Sequence, residues 1–266
     1  MKKAILVTLA TVALTVGLVR PAQAALFVSL SDGGVTVTCT FGGACAAGFI
    51  QVNSNTILFN GTVGQYTINT AVSVGSNNPG QPGNAQLSVS TTNVSRNTTG
   101  TNSLFIWASQ DGFTQPAAGS GFLGNAGSAS VSHDANTQVA GDSFSVQSWV
   151  DTTNALHPLV GNVGLAGAGI TGNGPCGATA DGSPQSESGD CESPVVAFAN
   201  SVPFSLTQKN TIFINSIAAG TGERVNTGGT TSVSSTINTV PEPGSLLLFG
   251  TGLVGLAAAA RRRIRK

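Results

Sequence analysis

Short runs in which apolar and polar residues alternate fill most of the chain between residues 25 and 225, and clusters of Gly, Asn, Ser and Pro separate them. Such period-two runs bounded by turn residues are typical of β-strands. The clearest case is the first pair of runs, which flank the turn Asp32-Gly33-Gly34 and consist of Leu26, Val28 and Leu30, then Val35, Val37 and Cys39. This segment predicts a β-hairpin.

Further alternating runs predict more strands. They lie at 66–74, 87–89, 104–108, 144–150, 204–206 and 212–217, with a turn expected at Lys209-Asn210 between the last two. Trp107 and Trp149 fall within these runs as large core or rim side chains. Because no apolar stretch in this region keeps a helical period, we expect a single all-β domain over residues 25–225, an antiparallel β-sandwich or jelly-roll-like fold. A chain of about 200 residues is long enough to bury one core.

Residues 226–239 differ from the preceding region in composition. They are rich in Thr, Ser, Gly and Asn. This composition predicts a flexible linker after the β domain.

Composition excludes several classes of protein. Only 8% of the residues are charged and 40% are hydrophobic. A nucleic-acid binder needs clustered positive charge and a coiled coil needs charged heptads, so we expect neither. Disorder is also disfavoured, since the apolar fraction is high and the charge is low. Eight of the eleven basic residues lie at the two ends, and residues 25–240 carry ten acidic and three basic residues, a net charge of −7.

The amino terminus has the pattern of a secretory signal peptide over residues 1–24. Lys2 and Lys3 precede an apolar run at 4–19, and Ala22-Gln23-Ala24 has the small residues of a signal peptidase site. We expect cleavage after Ala24. The alternative, an uncleaved membrane anchor, is disfavoured because Arg20-Pro21 ends the apolar run early.

The carboxyl terminus has three adjoining parts. Pro241-Glu242-Pro243 is followed by an apolar run at 246–260 and by five basic residues at 261–266. A fifteen-residue helix is about 22 Å long, somewhat less than the roughly 30 Å hydrocarbon core, so the apolar run predicts a short transmembrane helix. Since positive residues stay in the cytoplasm, residues 25–240 are expected outside the membrane.

The three parts together, beginning with Val240-Pro241-Glu242-Pro243-Gly244-Ser245, resemble the PEP-CTERM sorting signal over residues 240–266. The resemblance implies recognition at Pro-Glu-Pro by an exosortase, a membrane protease-transpeptidase of bacteria that make extracellular polysaccharide. Segments 60–69 and 201–207 are similar to the β-rich passenger domains of many such proteins. The alternative for the carboxyl terminus is an ordinary stop-transfer anchor that is retained.

Four cysteines in an exported chain predict two disulfides, for which three pairings exist. Proximity in sequence favours Cys39 with Cys45 and Cys176 with Cys191. A metal site at the cysteines is disfavoured, because neither pair has C-x-x-C spacing and no histidine is near.

Four carboxylates surround the second cysteine pair and predict an acidic loop. They are Asp181, Glu187, Asp190 and Glu192. Carboxylate oxygens are suitable ligands for Ca²⁺, which makes these residues candidates for calcium binding. The alternative is an exposed loop that carries charge for solubility, since the D-x-D-x-D-G pattern is absent.

No catalytic motif stands out, so we expect neither an enzyme nor a cofactor. G-x-S-x-G, H-E-x-x-H and nucleotide-binding fingerprints do not occur in the sequence. The two histidines are His133, beside Asp134, and His157, at an expected loop corner. Candidates for a glycoside-hydrolysing carboxylate pair rest on residue type alone and are Asp111, Asp134, Asp142 and Asp151.

These observations favour an exported structural or interaction protein of the cell surface or extracellular matrix, associated with exopolysaccharide or biofilm. Its expected partners are signal peptidase, an exosortase and the membrane through residues 246–260. The alternative is a carbohydrate-binding module with calcium as a candidate ligand, and a secreted hydrolase ranks below both.

Overall fold

The computed structural model describes residues 24–76, 84–98, 100–132, 141–179, 186–215 and 224–234. These residues form β-strands and connecting loops, and none of them is helical. The strands are β1 (Leu26–Ser31), β2 (Thr36–Thr40), β3 (Phe49–Asn53), β4 (Thr56–Val63), β5 (Tyr66–Ser76), β6 (Ala85–Arg96), β7 (Leu104–Phe113), β8 (Gly119–Ser132), β9 (Ser143–Asp151), β10 (Ile170–Thr179), β11 (Ser186–Glu192), β12 (Val196–Asn200), β13 (Phe204–Phe213) and β14 (Arg224–Ser234).

The strands form two antiparallel sheets. One sheet has the order β10-β9-β13-β7-β1-β2, and the other has the order β11-β8-β14-β6-β5-β4-β3, with β12 also paired to β8. The inner faces of the two sheets share one hydrophobic core. This architecture is a β-sandwich and confirms the predicted all-β class.

Alternate residues of the central strands fill the core. On β7 these are Leu104, Ile106 and Ala108, and on β6 they include Leu87 and Val89, all of them buried. The period-two pattern in the sequence therefore reports the inward face of each strand.

The β1–β2 hairpin has the predicted turn, and Asp32 holds it. The Asp32 carboxylate accepts hydrogen bonds from the backbone N–H groups of Gly34 at 3.0 Å and Val35 at 2.8 Å, and from Gln65 N at 2.9 Å. Burial raises the pKa of Asp32, but these donors outweigh burial and hold the pKa below its ordinary value. Since Gln65 lies at the β4–β5 turn, Asp32 joins turns of the two sheets.

Two predictions about chain segments are wrong. The expected turn at Lys209-Asn210 is absent, because Phe204–Phe213 is one continuous strand between β9 and β7. The linker expected over 226–239 is wrong for residues 226–234, which belong to β14 between β8 and β6. The composition of this segment indicated a linker because two positions of β14 that face the core are threonines.

Those threonines find partners inside the sandwich. Thr227 Oγ1 lies 2.8 Å from Thr91 Oγ1, and the Thr231 hydroxyl donates to Gln208 Oε1 at 3.0 Å. Buried hydroxyl groups are tolerated when they are hydrogen-bonded, so these polar positions can face the core.

Both favoured disulfides are present. Cys39–Cys45 links β2 to the loop that follows it. Cys176–Cys191 joins β10 to β11, the edge strands of the two different sheets. The second disulfide therefore ties the sheets together along one side of the sandwich.

The chain divides into one unit ending at Ser235 and a second unit over Thr236–Lys266. The second unit lies outside the described residues, and so do residues 235–239 of the expected linker. Among the residues described, no helix is long and apolar enough to cross a membrane. The expected transmembrane helix at 246–260 and the signal peptide, apart from Ala24, are not among them.

Candidate functional site

A shallow groove crosses the outer face of the eight-stranded sheet, over β11, β8 and β14. Its volume is about 520 Å³, and a second depression of about 350 Å³ adjoins it. The lining residues are mostly small or acidic and include Ala126, Ser128, Asp190, Glu192, Gly228 and Thr230.

The strand register explains the shape of this groove. Asp190 lies opposite Ser128, which lies opposite Gly228, so these residues form one row across three strands. In the next row Glu192 lies opposite Ala126, and Ala126 lies opposite Thr230. Small residues in the middle strands leave a depression, and the exposed carboxylates stand along one wall of it.

The acidic segment is therefore a strand and not the expected loop. Asp190 and Glu192 occupy alternate positions of β11, which places both carboxylates on one face. Glu187 also lies in β11, and Asp181 is outside the described residues. Within the described part of the chain no three His, Cys, Asp or Glu side chains form a metal-binding group, so calcium binding stays a prediction.

Three of the carboxylates named as candidates for glycoside hydrolysis accept hydrogen bonds from nearby groups. Asp111 Oδ1 accepts a hydrogen bond from Ala25 N at 2.6 Å, and Asp142 Oδ1 accepts one from Asn215 N at 2.7 Å. Asp151 Oδ1 accepts from the backbone and hydroxyl groups of Thr153. His133 and Asp134 lie outside the described residues.

Asp151 also binds His157, a pair that sequence reasoning missed. His157 Nε2 lies 2.8 Å from Asp151 Oδ2. Burial raises the pKa of Asp151, but hydrogen bonds from Thr153 and His157 outweigh it and hold the pKa below its ordinary value. The pair fixes the start of the loop 152–169. The sequence does carry a signal for the turn at Asp151, because the Asp of Asp151-Thr152-Thr153 can accept the hydrogen bond of an Asx turn.

The loop 152–169 covers the outer face of the six-stranded sheet and buries both tryptophans. The Trp107 and Trp149 rings stack with centroids 5.3 Å apart, and Trp107 Nε1 donates to Gly161 O at 2.8 Å. Lys209 Nζ lies 5.4 Å from the centre of the Trp107 ring, and burial lowers the pKa of Lys209. The exposed fractions of the two tryptophans are 0% and 3%, so neither presents a stacking surface for a sugar.

Residues 239–263 match the family model described as the PEP-CTERM protein-sorting motif. The chain carries a PEP-CTERM sorting signal. This result confirms the resemblance based on Pro241, Glu242 and Pro243, and it implies an exported, envelope-associated protein that an exosortase sorts.

A sequence comparison with curated proteins gives no match. Among solved structures, the chain is similar to the carbohydrate-binding module TmCBM27, which recognises mannan, with 6% identity over 61% of this chain and 80% of that chain and a TM-score of 0.26. A structure of the infectious bursal disease virus Gt strain matches with 10% identity over 79% of this chain and 64% of that chain, at a TM-score of 0.11. At these TM-scores neither likeness informs the function of this chain.

Proposed function

We propose that this protein is a non-catalytic structural or interaction protein of the cell surface or extracellular matrix, associated with exopolysaccharide or biofilm. The observation that carries the proposal is the sorting motif at residues 239–263. An exosortase cleaves the chain near Pro241 to Pro243, and the β-sandwich is the part that remains outside the cell.

The sandwich has properties that suit this role. Two disulfides are compatible with an oxidising compartment outside the cytoplasm. The net charge of −7 over residues 25–240 favours solubility at the cell surface.

The test is the intact mass of the protein from culture fluid and membranes of the native host, with and without its exosortase. We expect a species that begins at Ala25 and ends near Pro241 to Pro243, and its loss in the strain without the enzyme. A carboxyl terminus at Lys266 in both strains would contradict exosortase processing.

The groove on the eight-stranded sheet supports a second candidate function, the binding of a polysaccharide. Hydroxyl groups of Ser128 and Thr230 can exchange hydrogen bonds with sugar hydroxyls, and the Asp190 and Glu192 carboxylates can accept charge-assisted ones. The acidic wall and the negative net charge disfavour a polyanion unless Ca²⁺ bridges it to Asp190 and Glu192. The proposed ligand is therefore a neutral or amine-bearing glycan, or an acidic glycan in the presence of calcium.

A glycan array with and without a chelator tests this second candidate. Binding that falls on Asp190→Asn and Glu192→Gln, and that survives Asn162→Ala on the loop 152–169, would support the groove. Sensitivity to the chelator would assign calcium to the same two carboxylates. Absence of binding in both conditions, or equal loss in the Asn162→Ala control, would count against the groove.

A further inference from the structure

Asp111 lies at the point where the expected mature chain begins. Its Oδ1 atom accepts a hydrogen bond from Ala25 N at 2.6 Å, and Asp111 N donates to Ala25 O at 3.3 Å. One residue later, β1 begins at Leu26 and pairs with β7 on one side and β2 on the other. The Asp111 carboxylate therefore contacts the nitrogen directly before a strand in the interior of the six-stranded sheet.

Cleavage after Ala24 changes the chemistry of this contact. Hydrolysis of the Ala24–Ala25 peptide bond consumes one water and leaves a carboxylate on Ala24 and an α-ammonium group on Ala25. The nitrogen that donated one neutral hydrogen bond becomes a cation with three N–H donors. We propose that Asp111 binds the α-ammonium group of Ala25 in the processed protein and so fixes the mature amino terminus against β7.

The charges of the described residues support this assignment. Of the basic side chains that the structure describes, those of Arg96, Lys209 and His157 form no ion pair with Asp111. Arg96 instead binds Gln65, Lys209 lies over Trp107, and His157 binds Asp151. The amino-terminal ammonium places a cation beside the Asp111 carboxylate, at a distance already within hydrogen-bond range.

The backbone next to Asp111 leaves room for the residue that precedes Ala25. Gly112 has a φ of +80°, and a Cβ atom at this position would lie 2.9 Å from Ala24 Cβ. Gly112 N donates to Asn154 Oδ1 at 2.7 Å, which holds this part of β7 to the loop 152–169. A residue preceding Ala25 therefore fits over Gly112, and its removal leaves the α-ammonium group beside the carboxylate.

The inference rests on the proposed export and on signal-peptide removal. Its experiment distinguishes a failure of that processing from a failure of the contact between Asp111 and Ala25. Intact mass of the protein purified from the native host first identifies the amino terminus. A terminus other than Ala25 would overturn the processing step and with it the proposal. With the terminus at Ala25, thermal unfolding compares the wild type with Asp111→Asn, each with and without one Gly inserted between Ala24 and Ala25.

The inserted Gly moves the ammonium group one residue away from Asp111 and restores a peptide N–H at Ala25. The Gly takes the space that Ala24 occupies in the structure. We expect Asp111→Asn to lower the Tm by about 3–8 °C when the chain begins at Ala25, and by less than about half of that in the Gly-extended chain. Equal decreases in both backgrounds would overturn the proposal. Asp190→Asn, which removes an exposed carboxylate of β11, is the control and should give the same Tm change in both.

If Asp111→Asn is not secreted, the Gly insertion alone remains decisive because it leaves Asp111 in place. The proposal then requires a lower Tm for the Gly-extended chain. An unchanged Tm would overturn it.

Discussion

Arg96 and Asp142 bind opposite ends of the same peptide group. Arg96 Nη1 donates to Ile214 O at 2.8 Å, and Asp142 Oδ1 accepts from Asn215 N at 2.7 Å. Both side chains are buried, with exposed fractions of 4% and 1%. One peptide group thus connects the buried side chains of Arg96 and Asp142 and fixes the chain directly after β13.

Arg96→Met is expected to lower the free energy of unfolding by about 2–3 kcal/mol, because it leaves the buried Ile214 carbonyl without its guanidinium donor. It also removes the hydrogen bonds to Gln65 and the contact over the Tyr66 ring. Urea unfolding measures the change, with Asn162→Ala as an exposed control. A loss below about 1 kcal/mol would show that the hydrogen bonds of Arg96 contribute little to the stability of the fold.

Gly229→Ala is expected to lower the free energy of unfolding by about 1–3 kcal/mol. A Cβ at this position would lie 2.6 Å from Gln208 Nε2 and 2.8 Å from Asn210 Oδ1, two buried amides of the opposite sheet. The neighbouring Gly228→Ala is the matched control, because its nearest contact is Ser128 Oγ at 3.3 Å on the outer face. Equal losses of stability in the two variants would show that contact with Gln208 and Asn210 does not cause the loss at Gly229.

Trp107→Phe is expected to loosen the loop 152–169, since phenylalanine cannot donate to Gly161 O. Loss of about 1 kcal/mol from this hydrogen bond should speed amide hydrogen exchange in the loop by about fivefold. Trp149→Phe makes the same chemical change without removing that bond. If both variants exchange alike, the indole N–H of Trp107 does not hold the loop.

The lowered pKa of Asp151 predicts a dependence of stability on acid pH. A carboxyl group whose pKa is lower in the folded state than in the unfolded state stabilises the fold above its unfolded pKa, about 3.9, and loses this contribution as pH falls through the folded value. Stability should therefore decrease below about pH 4. Asp151→Asn should lower the stability near pH 6, and it should also make the decrease in stability at acid pH smaller. Denaturation at several pH values measures both effects. If the variant lost stability in acid as the wild type does, Asp151 would not be a cause of that loss.

Local patterns in the sequence predicted much of the fold, because alternation reports which face of a strand is buried. The β1–β2 hairpin and the pairing of Cys176 with Cys191 followed from residues close together in the chain. β14 was missed because Thr227 and Thr231 face inward, and their partners Thr91 and Gln208 come from distant strands. A polar residue at a core position gives no sign in the sequence that a partner exists.

The candidate site was predictable only in part. The sequence placed Asp190 and Glu192 in one acidic segment, yet the groove also needs the small residues of β8 and β14. The burial of Trp107 and Trp149 was not predictable, because it depends on contacts between β7, β9 and a loop. Contacts of this kind follow from tertiary packing, which alternation within one segment does not encode.

The position of β14 has a consequence for the order of assembly. In chain order it is the last strand among the residues that the structure describes, and it lies between β8 and β6 in the interior of the eight-stranded sheet. Synthesis proceeds from the amino terminus, so β6 and β8 each have an unpaired edge until residues 224–234 have been made and have left the export channel. A chain interrupted earlier would expose both edges to association and degradation. The sheet is therefore completed by a segment that lies shortly before the sorting motif, and a fully closed sandwich reports that the chain has been made through residue 234.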